Sequence, residues 1–113
     1  MVLRIKNNKF KVKTVFTRKD VQKGMMGRKF NSTFNGMLFL MDEGDHCFWM
    51  KNCITSLDII FIDGNTITGI HHDCPPCTTE ECENFCGEGD MILEVESGTC
   101  KKLNINIGDI VNF

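Results

Sequence analysis

Apolar and polar residues alternate along much of this chain, which is the pattern of β-strands that bury one face. In the first 16 residues, basic side chains separate the apolar ones, and Asn7-Asn8 interrupts the alternation as a turn would. This segment is therefore predicted to form a hairpin with one wet face. The apolar positions on its dry face are Leu3, Ile5, Phe10, Val12 and Phe16.

Later segments are rich in the β-branched, aromatic and other apolar residues that favour strands. Asp63-Gly64-Asn65 is a strong hairpin signal between two of them. In the segment MILEVE, alternation places Met91, Leu93 and Val95 on the inward face. The predicted strands cover 34–41, 57–62, 66–71, 91–96 and 108–113.

One clear helix is predicted after the first hairpin. Thr17 can cap it, Asp20 follows three residues later, and Gly24 and Gly27 limit it to about three turns. The elements together predict a mostly β (α+β) fold in one domain over residues 1–113. We expect a small antiparallel β-barrel or sandwich with one N-terminal helix and a cysteine-rich loop.

Charge is distributed unevenly. Residues 1–29 hold ten Lys or Arg and one acid, whereas 30–100 hold one base and thirteen acids. A basic segment can bind nucleic acid, but no aromatic residues interleave with the lysines. Neutralisation by neighbouring acidic strands is therefore the favoured interpretation. No apolar run is long enough for a signal peptide or a membrane span, so the chain as written is expected in the cytoplasm.

The segment FWMKN contains the one base of the acidic region, Lys51, directly after an apolar patch. Asp58 lies in an otherwise apolar strand, where a charge is costly unless it is paired. We therefore predict a Lys51–Asp58 pair, with Asn52 supplying further hydrogen bonds. Trp49, Lys51, Asn52 and Asp58 would then form the floor of a ligand site. The alternatives are a structural polar network or a proton carrier, and complete burial of Asp58 would exclude catalysis.

Four cysteines form a loop with the spacing C-x2-C-x4-C-x3-C, at Cys74, Cys77, Cys82 and Cys86. All four could hold one zinc ion, Cys74 and Cys77 could form a redox pair, or two nested disulfides could staple the loop. The nested pairing would be Cys77–Cys82 within Cys74–Cys86. Prolines between the first two cysteines and the acidity of the loop weaken the zinc and redox hypotheses.

The other three cysteines are Cys47, Cys53 and Cys100. The first two are predicted to be small apolar core residues. The third is predicted to be a surface or half-buried thiol.

Five motifs occur in an order that resembles the family called domain of unknown function 192 (DUF192). They are GMMGR (24–28), NGMLFLM (35–41), FWMKNCITSLDIIFID (48–63), MILEVESG (91–98) and GDIV (108–111). The resemblance implies a small mixed β fold and no established activity. It marks the positions Arg28, Gly36, Trp49, Met50, Lys51, Asn52, Asp58, Asp63, Glu94, Gly98, Gly108 and Asp109 as the family signature.

The resemblance adds Arg28 to the ligand site and bears on the cysteines. A PPC….C pattern in relatives is similar to Cys77 and Cys82, and relatives are often exported, which supports a disulfide. The chain departs from the family pattern at Cys53, where Thr is usual, at Ser56, where Pro is usual, and at Phe85, which replaces a Tyr.

The function that follows is a binding or accessory module for an unknown small molecule or protein, centred on FWMKN and LDIIFID. It is not expected to be an enzyme or to carry a cofactor. One alternative is a zinc protein that contacts nucleic acid through the cysteine loop. The other is a small hydrolase-like enzyme that uses Asp58 and Lys51.

Overall fold

One curled sheet organises the chain in the computed structural model, which describes residues 1–113. The seven strands lie in the order β5-β4-β6-β3-β2-β1-β7 and form a half-barrel. Neighbours are antiparallel except β2 and β3, which are parallel because α1 lies in the connection between them. The elements are β1 (Val2–Ile5), β2 (Asn8–Val15), α1 (Arg18–Lys23), β3 (Gly36–Trp49), β4 (Leu57–Asp63), β5 (Thr66–Cys74), β6 (Asn84–Glu96), α2 (Thr99–Lys102) and β7 (Val111–Asn112).

The curl brings the two ends of the sheet within hydrogen-bonding distance. At the start of β5, the backbone N–H of Ile67 donates to Asp109 O at 2.9 Å, and Ile67 O accepts from Gly108 at 2.8 Å. Val111 at the start of β7 donates to Asn65 O at 2.7 Å. The mostly β prediction is confirmed, with a half-barrel as its form.

Both faces of the central strands are buried, in two separate apolar clusters. The inner core lies within the curl, and the outer core lies on the opposite face under α1 and the loops. The inner core is Leu3, Ile5, Phe10, Val12, Leu38, Ile60, Ile62, Ile67, Leu93, Val95, Cys100, Ile105 and Val111. The outer core is Val15, Met25, Met37, Phe39, Met50, Cys53, Leu57, Ile59, Phe61, Cys74 and Ile92.

Two details of the strand predictions are wrong. In β6, Ile92 and Glu94 are buried as well as Leu93 and Val95, so the strand has no wet face there. Phe16 was predicted on the dry face of the hairpin but is 70% exposed. It lies just beyond the end of β2, where the sheet no longer covers it.

The predicted start of α1 is confirmed, but its length and place are not. Thr17 Oγ1 accepts from the backbone N–H of Asp20 at 3.2 Å, as an N-cap does. The helix ends at Lys23, short of three turns, because Gly24 leaves helical geometry with φ 45°. It follows β1 and β2, so it is not an N-terminal element.

Asp58 lies on the inner face of β4 and is fully buried. Its Oδ1 accepts from the backbone N–H of Asp73 at 2.9 Å and of Gly98 at 3.3 Å. Its Oδ2 accepts from Cys100 N–H at 2.9 Å. The carboxylate thus joins β4 to the end of β5 and to the first turn of α2, and these donors compensate its burial.

The predicted Lys51–Asp58 pair is wrong. The Lys51 ammonium donates to the backbone carbonyl of Thr79 in the cysteine loop. Backbone donors satisfy Asp58 instead, on the inner face of the sheet. The two ion pairs of the chain are Lys6–Asp109 and Lys101–Asp73.

The structure confirms one predicted disulfide and replaces the other. Cys77 is bonded to Cys82. Cys86 is bonded to Cys47, not to Cys74, because Cys47 lies directly opposite it in the β3–β6 register. Cys74 is a free thiol in the outer core, paired in register with Leu57.

Of the predictions for the other three cysteines, one is confirmed and two are wrong. Cys53 is free and buried, as predicted, whereas Cys47 is an exposed disulfide partner and not a core residue. Cys100 is fully buried in the inner core and is not a surface thiol.

The zinc alternative required Cys74, Cys77, Cys82 and Cys86 to face one ion. These four side chains are divided between two disulfides and the outer core, and no group of three or more His, Cys, Asp or Glu is placed to hold a metal ion. The predicted Cys74–Cys77 redox pair is not formed either. Neither helix is long and apolar enough to cross a bilayer.

Replacing Asp58 by Ala is expected to lower the free energy of unfolding by about 3–5 kcal/mol, because one buried and two partly buried N–H groups lose their acceptor. Asp58→Asn should lie between Asp58→Ala and the unsubstituted protein. Asp63→Ala, at an exposed position of the same strand, is the matched control and should change stability by less than about 0.5 kcal/mol. Urea unfolding measures all three, and equal effects of Asp58→Ala and Asp63→Ala would contradict this role.

Intact-mass alkylation should resolve the seven cysteines into two classes, three buried free thiols and four disulfide-bonded cysteines. None should react readily in the native protein, since the free thiols Cys53, Cys74 and Cys100 are buried. Three should react after denaturation without reductant, and seven after reduction. A peptide that links Cys74 to Cys86 would contradict the pairing.

Candidate functional site

A cavity of about 420 Å³ lies between α1 and the outer face of the sheet. This volume falls within the range of small-molecule sites, and most of its lining is apolar. The helix and the turn after it form one wall, and β3 forms the other. The apolar side chains of the two walls are Val21, Met25, Met26, Phe39, Phe48 and Trp49.

Aromatic rings give the β3 wall its shape. Phe39 and Phe48 pack edge to face with their centroids 5.0 Å apart, and Phe48 meets Phe61 of the outer core at 6.2 Å. These contacts hold Phe48 in place. Trp49, at the end of β3, remains 47% exposed and lies at the cavity mouth.

Glu94 is the one acidic side chain in this lining. It lies on β6 opposite Met37 and Ile59, and it is only 3% exposed. Its carboxyl takes part in no ion pair and in no hydrogen bond with another side chain or the backbone. Burial raises its pKa from 4.5 to about 8, so the carboxyl holds a proton at pH 7.

Cys53 lies beside Glu94 in the same cavity. Burial, followed by the negative charge that Glu94 carries when ionised, raises the pKa of its thiol from 9.0 to about 11. The thiol is therefore protonated near neutral pH and is not an activated nucleophile.

Lys51 and Asn52 hold the cysteine loop and do not line the cavity. Asn52 N–H donates to Cys77 O at 2.9 Å, and Cys77 N–H donates back to Met50 O at 3.0 Å. Asn52 has a positive φ of 59°, and its carbonyl accepts from Gly27 N–H at 3.1 Å. The FWMKN turn thus fixes both the loop and the turn after α1.

Arg28 also lies outside the cavity lining. Its carbonyl accepts from Thr55 Oγ1 at 3.2 Å, and its Nε is buried without a hydrogen-bond partner. Of the five predicted ligand-site residues, the structure therefore places only Trp49 in the cavity. Asp58 is on the inner face, and Lys51, Asn52 and Arg28 lie around the edge of the FWMKN turn.

The sequence interpretation missed Glu94 as a site residue. Strand alternation pointed it to solvent, and only its place in the family signature singled it out. The structure buries it because α1 and the FWMKN turn cover the face that alternation predicted to be wet.

The hydrolase alternative loses its proposed catalytic group. Asp58 is 0% exposed and its oxygens are occupied by backbone donors, so it cannot reach a substrate. Lys51 is bound to Thr79 O and lies apart from Asp58.

Most basic side chains of the N-terminal segment form no ion pair. Only Lys6 of its ten bases lies within ion-pair distance of an acid. The predicted neutralisation by neighbouring strands is therefore wrong for the rest. Arg4, Lys9, Lys11 and Lys13 are exposed on the outer side of β1 and β2, where no acidic strand faces them.

Comparison with known proteins agrees with the fold and the signature. The chain resembles a protein of unknown function from Novosphingobium aromaticivorans, with 26% identity and a TM-score of 0.85 over 99% of this chain and 84% of that one. It resembles a "putative transcription regulator" from Sinorhizobium meliloti, with 26% identity and a TM-score of 0.87 over 98% of this chain and 91% of that one. No curated protein matches.

The family comparison covers the whole chain. The model of DUF192, described as "Uncharacterized ACR", matches residues 1–113. This extent agrees with the five motifs, which run from GMMGR to the last strand. The chain belongs to the DUF192 family.

Proposed function

We propose that this chain is a binding module that holds a small, largely apolar molecule between α1 and β3. The observation that carries the proposal is the carboxyl of Glu94, which has no partner in the protein and lies at the cavity on a residue that is only 3% exposed. Buried polar groups are normally hydrogen-bonded, and exceptions concentrate at functional sites. A bound molecule would supply the missing partner.

The lining supports an apolar ligand with one polar group. Contact with Met26, Phe48 and Trp49 would remove apolar surface from water, which contributes about 25 cal/mol per Å². A protonated Glu94 offers one donor and one acceptor, enough to orient a ligand. No activated nucleophile faces the cavity, so binding is favoured over catalysis.

The disulfides support a site that works outside a reducing compartment. Cys47 lines the cavity, and its bond to Cys86 fixes the ends of β3 and β6 beside Trp49. Structural disulfides persist in oxidising compartments. We therefore infer an oxidising location in place of the cytoplasm.

Nucleic acid is not our choice of partner, although the Sinorhizobium meliloti neighbour is described as a "putative transcription regulator". The exposed lysines of β1 and β2 would attract any polyanion. Phe10 within these strands is buried, and Phe16 just beyond β2 is the one exposed aromatic residue there, so no row of rings is available to stack on successive bases.

Benzyl alcohol can serve as a neutral probe of the cavity. With methionine methyl groups labelled by 13C, we expect it to shift the NMR signals of Met25 and Met26, which line the cavity, and to leave that of Met1 unchanged. Val21→Phe places added bulk at the wall and should weaken binding about tenfold or more, which corresponds to about 1.4 kcal/mol.

Val2→Phe is the matched control, since it adds the same bulk at an exposed position outside the cavity. It should leave the dissociation constant of benzyl alcohol unchanged. Binding that is insensitive to Val21→Phe, or no shift of Met25 and Met26, would contradict the proposed function.

A further inference from the structure

We propose that the ligand of this cavity is a small organic cation, such as an alkylated ammonium, with Glu94 as its counter-ion. This inference rests on the proposed function and adds the charge of the ligand to it. The supporting observations are the charges around Glu94, the aromatic lining and the absence of a partner for its carboxyl.

The charged and titratable groups around Glu94 favour a cation. From the turn after β3, Cys53 faces it as a neutral thiol, and Cys74 on β5 is a second thiol near enough to feel its charge. The register partners of Glu94 on β3 and β4 are apolar. Lys23 of α1 lines the cavity, but it is exposed to solvent at the mouth. An anionic ligand would therefore meet a buried acid with no buried base beside it.

The lining suits an alkylated cation. The rings of Phe48 and Trp49, which keep accessible surface at the cavity, carry negative potential on their faces, which attracts cations with a strength of about 0.5–2 kcal/mol per contact. Met25 and Met26 add polarizable thioethers that adapt to ligand shape. Methyl or alkyl groups on the nitrogen would bury apolar surface while the charge meets Glu94.

The buried acid also couples such binding to pH. In the free protein the pKa of Glu94 is raised to about 8, so below this pH the carboxyl is protonated and neutral. A permanent cation binds the ionised form and therefore displaces that proton. Its apparent affinity is the intrinsic affinity multiplied by the ionised fraction, which rises with pH. A neutral ligand has no charge to pair with the ionised form, so its affinity does not rise with pH in this way.

Three probes of nearly the same shape distinguish a cationic ligand from a neutral or an anionic one. Choline is a permanent cation, 3,3-dimethyl-1-butanol is its neutral carbon isostere, and 3,3-dimethylbutanoate is an anion. Trp49 is the only tryptophan and lines the cavity, so its fluorescence reports binding. We expect choline to bind more tightly than the other two at pH 9. Its affinity should rise roughly 50- to 100-fold from pH 6 to pH 9.

Glu94→Gln removes the charge and keeps the shape. It should weaken choline binding at pH 9 about tenfold or more and abolish the pH dependence, while the alcohol binds within about threefold as before. Retained alcohol binding shows that the cavity of this variant is intact. Glu96→Gln, at an exposed position of the same strand, is the matched control and should change neither probe.

Two results would overturn the cation assignment and leave the binding module standing. One is an affinity for choline that Glu94→Gln does not alter. The other is tighter binding of the alcohol or the anion than of choline at pH 9. If none of the three probes changes the fluorescence of Trp49, and benzyl alcohol does not bind, the cation assignment and the proposed function both fail.

Discussion

Burial of both faces of β4 and β6 is the constraint on which the rest of this structure depends. Inside such strands every side chain must be apolar or must find a partner, because an uncompensated charge is too costly to bury. Two buried acids, Asp58 and Glu94, occupy these strands on opposite faces. Asp58 meets three backbone N–H groups on the inner face and becomes a structural joint between β4, β5 and α2. Glu94 meets none on the outer face, so it keeps its proton and lies uncharged beside a cavity.

The two buried acids have different roles: Asp58 stabilises the fold, whereas Glu94 is the residue that we propose contacts a ligand. A satisfied buried carboxylate is explained by the fold it supports. An unsatisfied one weakens the fold, and a ligand that completes its interactions relieves that cost. The surrounding elements act as supports for this site. The Cys47–Cys86 bond fixes the ends of β3 and β6, and the FWMKN turn holds the cysteine loop on one side and the turn after α1 on the other.

Much of the fold follows from local sequence, and most of the site does not. Alternation and turn residues predicted part of each long strand, and Thr17 predicted the start of α1, because these signals act within a few residues. The extension of β3 to Trp49 and the start of β6 at Asn84, inside the predicted cysteine loop, were not predicted. The Cys47–Cys86 pair joins residues 39 apart and depends on the β3–β6 register, which no cysteine spacing encodes. Burial of Glu94 depends on what covers the outer face. Asp58 was singled out for its burial cost, but the sequence could not show that backbone donors and not Lys51 would satisfy it.

The ionisation of Glu94 in the free protein tests this account most directly. The side-chain carboxyl carbon can be followed by 13C NMR from pH 4 to pH 10, with its signal assigned by its loss in Glu94→Gln. We expect the signal to titrate with a midpoint near 8, as a desolvated and unpartnered carboxyl should. A midpoint at the ordinary value of about 4.5 would mean that Glu94 is solvated or paired, and it would contradict the contrast with Asp58 on which the site rests.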